Sequence, residues 1–167
     1  MKILGVIEIL SRDLSKGLTI NQISKLLHKS YAATNMLVRG MISDEILNKL
    51  IVGNAILCTL NLRNELTRAL LAVASVKKKQ TDSSWKKKID IELIDELKRR
   101  FTIECVFLQD DKLNIVCRNV LALQEFLNER KIRAAVFEAA DFHVKKDLSR
   151  SYVIYGFERF WELIANA

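Results

Sequence analysis

The chain has 167 residues, 50% of them apolar, with 27 Lys and Arg against 20 Asp and Glu for a formal charge of +7. That length allows one compact domain or two small ones, and no apolar run approaches the roughly 20 residues that a membrane-crossing helix needs. The three cysteines are far apart and odd in number, which excludes a disulfide framework and a zinc ribbon; Cys58, Cys105 and Cys117 each sit in an apolar, strand-like run and read as buried thiols.

The opening MKILGVIEILSRDL carries Glu8 inside its apolar stretch and lacks a small-residue cleavage site, so it is poor as a signal peptide. It predicts an amphipathic helix with Ile3, Val6, Ile7 and Leu10 on one face. Next, Thr19 is placed to cap a helix over 20–27 that turns Ile23, Leu26 and Leu27 inward. His28 and Lys29 make a tight connection, and Ser30 caps a second helix over roughly 31–42. On that helix Ala33, Leu37, Gly40 and Met41 share one face, with Met36 at its edge. Tyr31, Thr34, Asn35 and Val38 share the other, bordered by Arg39. Strands at 46–51 and 55–61 follow, around Val52-Gly53-Asn54, where Gly and Asn supply positive φ. Two helices with a tight turn and then a hairpin make a winged helix-turn-helix, whose second helix must carry small and hydrogen-bonding residues to read base edges.

A helix within 60–75 repeats Leu62, Leu66, Leu70 and Val73 and is capped by Asn61 or Asn64. The segment 77–88, KKKQTDSSWKKK, is polar and without apolar periodicity, and predicts a linker or mobile loop. Its lysines, with Trp85 between them, suit either a solvated linker or a track along a nucleic-acid backbone. Beyond it come a helix at 89–100 with Ile91, Ile94 and Leu97 apolar, strands at 101–108 and 112–118, a helix at 120–131 capped by Asn119, a strand at 133–140 and a closing helix at 155–167. This order describes a small α/β layer with helices covering a short sheet.

Charge is uneven along the chain. Residues 1–88 carry +9 and residues 89–167 carry −2, which suggests a polyanion partner for the first half. Residues 1–62 alone carry +3, so the winged segment is modestly basic and much of the excess lies in 77–88. His28 and His143 have no Cys or His nearby to complete a metal set, and Glu125, Glu129, Glu138 and Asp141 form no acid–base pair.

Residues 18–75, through LTINQISKLLHKSYAATNMLVRG and GNAILCTLNLRNELTRALL, resemble winged helix-turn-helix regulators of archaeal type, in which the hairpin enters a long helix through a Leu-Asn step, here Leu60-Asn61. The resemblance implies DNA binding, commonly as a dimer, with the second helix in the major groove. The tail SYVIYGFERFWELI (151–164) is similar to the end of winged-helix proteins fused to a minimal nucleotidyltransferase domain, where a strand and helix finish the small sheet. A plain amphipathic helix packing Phe157, Phe160, Trp161 and Ile164 accounts for it equally. Nucleotidyl transfer needs a Gly-Ser turn and two carboxylates on a strand to hold Mg²⁺. The chain has LQDDK (108–112) and LNIVCRN (113–119) in those places, so the kinship implies a degenerate, non-catalytic copy used for dimerisation, sensing or partner binding.

The expected fold is α+β: a winged helix-turn-helix domain over 1–76, a basic linker over 77–88 and a small α/β domain over 89–167. The expected function is a sequence-specific DNA-binding transcription regulator, cytoplasmic and non-enzymatic, in which Tyr31, Thr34, Asn35 and Arg39 approach bases while Lys29, Ser30, Lys49 and Asn54 meet phosphate. The expected partners are double-stranded DNA, a second copy of the chain, and a small-molecule or protein effector at the C-terminal domain; neither membrane, cofactor nor metal is expected. A nucleotidyltransferase-like enzyme with an atypical metal site and a winged-helix protein-interaction module are the alternatives.

Overall fold

Helix α1 (Lys2–Leu10) buries Leu4, Val6, Ile7, Ile9 and Leu10, while Ile3 lies at the border of the buried face. In the computed structural model, which describes residues 2–167, it belongs to a first unit formed by residues up to Ala74 together with Lys145–Ser149. The second unit comprises Ser75–Val144 and Arg150–Ala167. The architecture is α+β, with two separate sheets. No helix among the described residues is long and apolar enough to cross a membrane.

The first unit is a winged helix. Strand β1 (Leu18–Thr19) leads into α2 (Ile20–Leu26), whose start is fixed by a capping box: the Gln22 N–H donates to Thr19 Oγ1 at 3.2 Å, and the Thr19 N–H donates to Gln22 Oε1 at 2.8 Å. His28, at φ 53°, turns the chain into α3 (Tyr31–Ser43), which Ser30 caps by accepting from the Ala33 N–H at 3.3 Å. Strands β2 (Leu47–Val52) and β3 (Ala55–Leu60) form the hairpin wing about Gly53-Asn54, in unbroken register from Leu47↔Leu60 to Val52↔Ala55. The sheet order is β1-β3-β2.

The Leu60-Asn61 step has a physical role. Asn61 Nδ2 donates to the Glu45 carbonyl at 2.8 Å, tying the exit of the wing back to its entry, where Glu45 holds a positive φ of 56°. Asn64 then accepts from the Thr67 N–H at 3.1 Å and caps α4 (Glu65–Thr81). The buried face of α4 is Thr67, Leu71, Ala72 and Ala74, so the Leu62/Leu66/Leu70/Val73 stripe read from periodicity is its more exposed side. The segment Lys145–Ser149, which sequence placed in the C-terminal domain, packs in this first unit: the Leu148 N–H donates to the Arg12 carbonyl at 2.7 Å and the Leu14 N–H to the Lys146 carbonyl at 2.8 Å.

The linker reading of 77–88 is corrected. Residues 77–81 continue α4 and 84–87 form a 3-10 turn, with Trp85 only 4% exposed. Lys78 and Lys79 place their ammonium groups over aromatic rings and donate from Nζ to the carbonyls of Ser151 and Ile154, each at 2.7 Å, so two cations that looked solvated serve as cation–π and hydrogen-bonding groups. Desolvation holds the Lys79 amine below its ordinary pKa.

In the second unit, α5 (Ile91–Arg100), β4 (Ile103–Gln109), β5 (Lys112–Cys117), α6 (Val120–Glu129), β6 (Ala134–Phe137) and α7 (Phe157–Asn166) follow the order read from the residue pattern, while β7 (Ser151–Tyr155) is a further strand that only the 151–164 resemblance implied. The sheet order is β6-β5-β4-β7, with β5 and β6 parallel and the other pairs antiparallel. Leu93, Ile94, Leu97, Val106, Leu108, Ile115, Leu123, Leu127 and Ile154 are part of its core.

Candidate nucleic-acid interface

Helix α3 is rotated from the face that sequence assigned to it. Thr34, Val38 and Met41 are the buried residues, at 0%, 0% and 1% exposure, whereas Ala33 and Gly40 are exposed and Met36 is 76% exposed. The helical period admits both stripes, because 33/37/40/41 and 34/37/38/41 differ by a small rotation and share Leu37 and Met41. Thr34 tolerates burial because its Oγ1 donates to the Ser30 carbonyl one turn back at 3.0 Å, which satisfies the hydroxyl within the helix. Thr34 is therefore removed from the base-reading set, and Val38 from the outer face.

The remaining helix residues of that set do reach the surface. Lys29, Ser30 and Tyr31 are exposed at the N-terminus of α3, and Arg39 is exposed two turns along. Asn35 is half-buried, and its Oδ1 accepts from Arg39 Nε at 3.1 Å. That bond occupies one edge of the guanidinium and fixes its plane, leaving Nη1 and Nη2 to donate together. Two parallel N–H groups are what the O6/N7 edge of guanine accepts in the major groove. Between Arg39 and Tyr31 the exposed surface is made by Ala32, Ala33 and Met36, groups that suit the thymine methyl. The sequence reading put Ala33 on the inner face with Met36 at its edge and assigned Ala32 to neither face.

At the helix start, Ser30 serves the Ala33 N–H through its side chain and the Thr34 N–H through its carbonyl, at 3.1 Å. The first-turn N–H groups of Tyr31 and Ala32 have no intrahelical acceptor by the geometry of any α-helix. With Lys29 alongside, this end of α3 favours an anion.

On the wing, Lys49 and Asn54 are exposed, Lys49 in the middle of β2 and Asn54 in the turn. Lys49 is the single charged side chain between residues 48 and 62. Beyond Lys49 the exposed part of β2 is apolar: Leu50, Ile51 and Val52 are 61%, 68% and 52% exposed. Cys58, behind them on β3, is fully buried, and burial pushes its thiol pKa up.

Trp85 is not available to stack on a base, since it is buried and its Nε1 donates to the Lys79 carbonyl at 3.0 Å. Lys88 is ion-paired with Asp111. The lysine clusters are therefore not the free backbone track that the sequence allowed, although Lys86 and Lys87 remain exposed.

The nucleotidyltransferase alternative requires carboxylates converging on a phosphate-binding turn. Strands β4 and β5 are joined directly by Asp110 and Asp111, both at positive φ (48° and 65°), which leaves no loop or helix in which a phosphate could be cradled. Among the described residues no cluster of His, Cys, Asp or Glu is arranged to hold a metal ion. The second unit does contain a groove of about 990 Å³ with apolar residues Ile89, Leu93, Leu113 and Ile132 and a rim of charge. There Arg130 makes a bidentate pair with Glu96 at 2.6 and 2.8 Å.

No family model matches the chain, and no curated protein matches it. Solved structures similar to it include MepR, a transcription regulator of the Staphylococcus aureus multidrug efflux pump MepA, at 16% identity and a TM-score of 0.39 over 57% of this chain and 70% of that one. A mutant of MepR from a multidrug-resistant S. aureus clinical isolate aligns at 14% identity and a TM-score of 0.42, over 59% and 72%. A MarR family protein of Mycobacterium tuberculosis in complex with salicylic acid aligns at 20% identity and a TM-score of 0.37, over 57% and 70%.

Proposed function

We propose that this protein is a sequence-specific DNA-binding transcription regulator that reads the major groove with α3. The observation that carries the reading is the Asn35–Arg39 hydrogen bond, which orients a charged fork on the exposed face of a capped second helix. In this reading Arg39 contacts a guanine edge, and Asn35 is a positioning residue. Tyr31, Ala32, Ala33 and Met36 fit against neighbouring bases. Lys29, Ser30 and the start of α3 hold one phosphate, and Lys49 and Asn54 on the wing meet the backbone or minor groove. The protein works as a homodimer in a cytoplasmic setting, and the groove of the second unit is the place for an effector.

The archaeal-type assignment is proposed on the Leu60-Asn61 step. Kinship of the second unit with minimal nucleotidyltransferase domains is proposed on the 151–164 resemblance, as a non-catalytic copy whose Asp110-Asp111 turn replaces the phosphate-binding loop. The test is a mobility-shift titration of duplex DNA at two salt concentrations, comparing wild type with Arg39→Ala, Lys49→Ala and the double variant. Weaker binding with a shallower salt slope supports the assignment; equal binding by all four proteins removes it.

The protein-interaction alternative has one observation in its favour, the apolar run Leu50-Ile51-Val52 on the wing. It predicts that duplex DNA does not bind at low salt.

A further inference from the structure

Strand β2 is the outer strand of the three-stranded sheet, so its far edge presents backbone N–H and C=O groups without a neighbouring strand. Five consecutive residues on it, 48–52, are exposed. Successive side chains on a strand point to opposite faces, so Leu50, Ile51 and Val52 leave apolar surface on both. Natural edge strands are blunted by charge, proline or a bulge. Here the register with β3 is unbroken, the chain has no proline, and Lys49 is the one charge on the strand. An unblunted edge with exposed apolar residues on both faces is a template for pairing with another strand.

We propose that β2 pairs antiparallel with β2 of a second copy of this chain, about a twofold axis centred on Leu50. The strand is self-complementary in that register, which keeps all five exposed residues paired: Leu50 faces Leu50 of the second copy, Lys49 faces Ile51, and Asn48 faces Val52. The two lysines therefore never face each other. A shift of the axis by one residue to Lys49 would set them directly opposite, which is unfavourable. The surface covered is that of one short strand, below the roughly 1,200–2,000 Å² of a stable standard interface, so the association is weak and depends on concentration. The pairing does not rest on the DNA-binding reading.

The buried state of Cys58, Cys105 and Cys117 makes a direct test possible, because an introduced thiol is then the accessible one. Opposed residues of an antiparallel pair have Cβ atoms about 4.5–5.5 Å apart, near disulfide reach. The full chain carrying Leu50→Cys is oxidised mildly beside Leu121→Cys, whose site on α6 is 74% exposed. The expected result is a disulfide-linked dimer formed about tenfold faster or more at position 50 than at 121, and loss of that advantage when Ile51→Lys is added, which brings a lysine against Lys49. Equal rates at the two positions, or a cross-link that survives Ile51→Lys, overturn the proposal. Sedimentation of the wild-type chain with and without Ile51→Lys gives an independent reading: a dimer of unchanged affinity in the variant places self-association elsewhere and also overturns it.

Discussion

Arg39 donates from Nε to Oδ1 of Asn35 at 3.1 Å, one helical turn away on α3. The bond makes the two residues one unit and predicts unequal consequences for their loss. Arg39→Ala should cost about 1–3 kcal/mol on a preferred duplex and relax the preference for guanine at one position. Asn35→Ala should keep the charge and the salt slope but lose part of that preference. Binding measured against a panel of duplexes differing at single positions separates the two; identical profiles for both variants would deny Asn35 its positioning role.

Burial of Thr34 gives a second expectation. Thr34→Val keeps the shape and loses a hydroxyl already satisfied within the helix, so DNA affinity should stay within about twofold of wild type. A large loss of affinity in a normally folded Thr34→Val protein would return this residue to the interface.

How far the sequence reveals this arrangement depends on the kind of information each element needs. The caps at Thr19, Ser30 and Asn119 are local hydrogen bonds between residues three apart, and each forms as its residue type predicts. The hairpin is legible in part: Gly53 takes the expected positive φ of 58°, whereas Asn54, expected to share it, does not. Facing is harder. Ala33 and Gly40 are apolar but so small that their burial stabilises little, and the helix instead turns the larger Val38 and the self-satisfied Thr34 inward. Lys78 and Lys79 mislead for a different reason: their charge reads as solvent, while their ammonium groups lie over the rings of Tyr152, Trp85 and Phe157. Acceptance of Lys145–Ser149 into the first unit is a tertiary event with no local mark.

Gly156 begins α7 at φ 70°, and a Cβ placed on it would come within 2.1 Å of the Glu104 carbonyl oxygen and 2.8 Å of Cys105 Cα. Both obstacles are backbone. Gly156→Ala should therefore destabilise the protein by about 2–4 kcal/mol, combining left-handed strain with overpacking. Gly53→Ala, at φ 58° with open space around it, should cost about 1 kcal/mol. Urea unfolding of the two variants checks the difference, and similar midpoints would contradict the close approach at Gly156.

Asp82 and Tyr152 give a pH signature. The Tyr152 hydroxyl donates to the Asp82 carboxylate and, with the backbone and hydroxyl of Ser84, lowers the Asp82 pKa to about 2 from 3.8. The same bond to Asp82 raises the Tyr152 pKa above its ordinary 10.0. The depressed carboxyl contributes stability that is present above about pH 4 and lost as pH falls through about 2. The raised phenol contributes stability that is present below pH 10 and lost as pH rises through its folded value. Tyr152→Phe should unfold at lower urea than wild type at neutral pH, with a deficit that closes as pH falls from 4 toward 2. A deficit independent of pH would mean that the hydrogen bond does not hold the carboxylate.

Whether α3 and the wing grip duplex DNA is decided by the salt dependence of binding. The affinity of wild type and of the Arg39→Ala, Lys49→Ala double variant for one duplex is measured across a series of salt concentrations. Each phosphate contact adds about 0.9 to the magnitude of the log–log slope, so Lys49→Ala accounts for a reduction of about 1. Wild type should bind more tightly and with a steeper slope; parallel lines of equal affinity would mean that neither Arg39 nor Lys49 meets DNA.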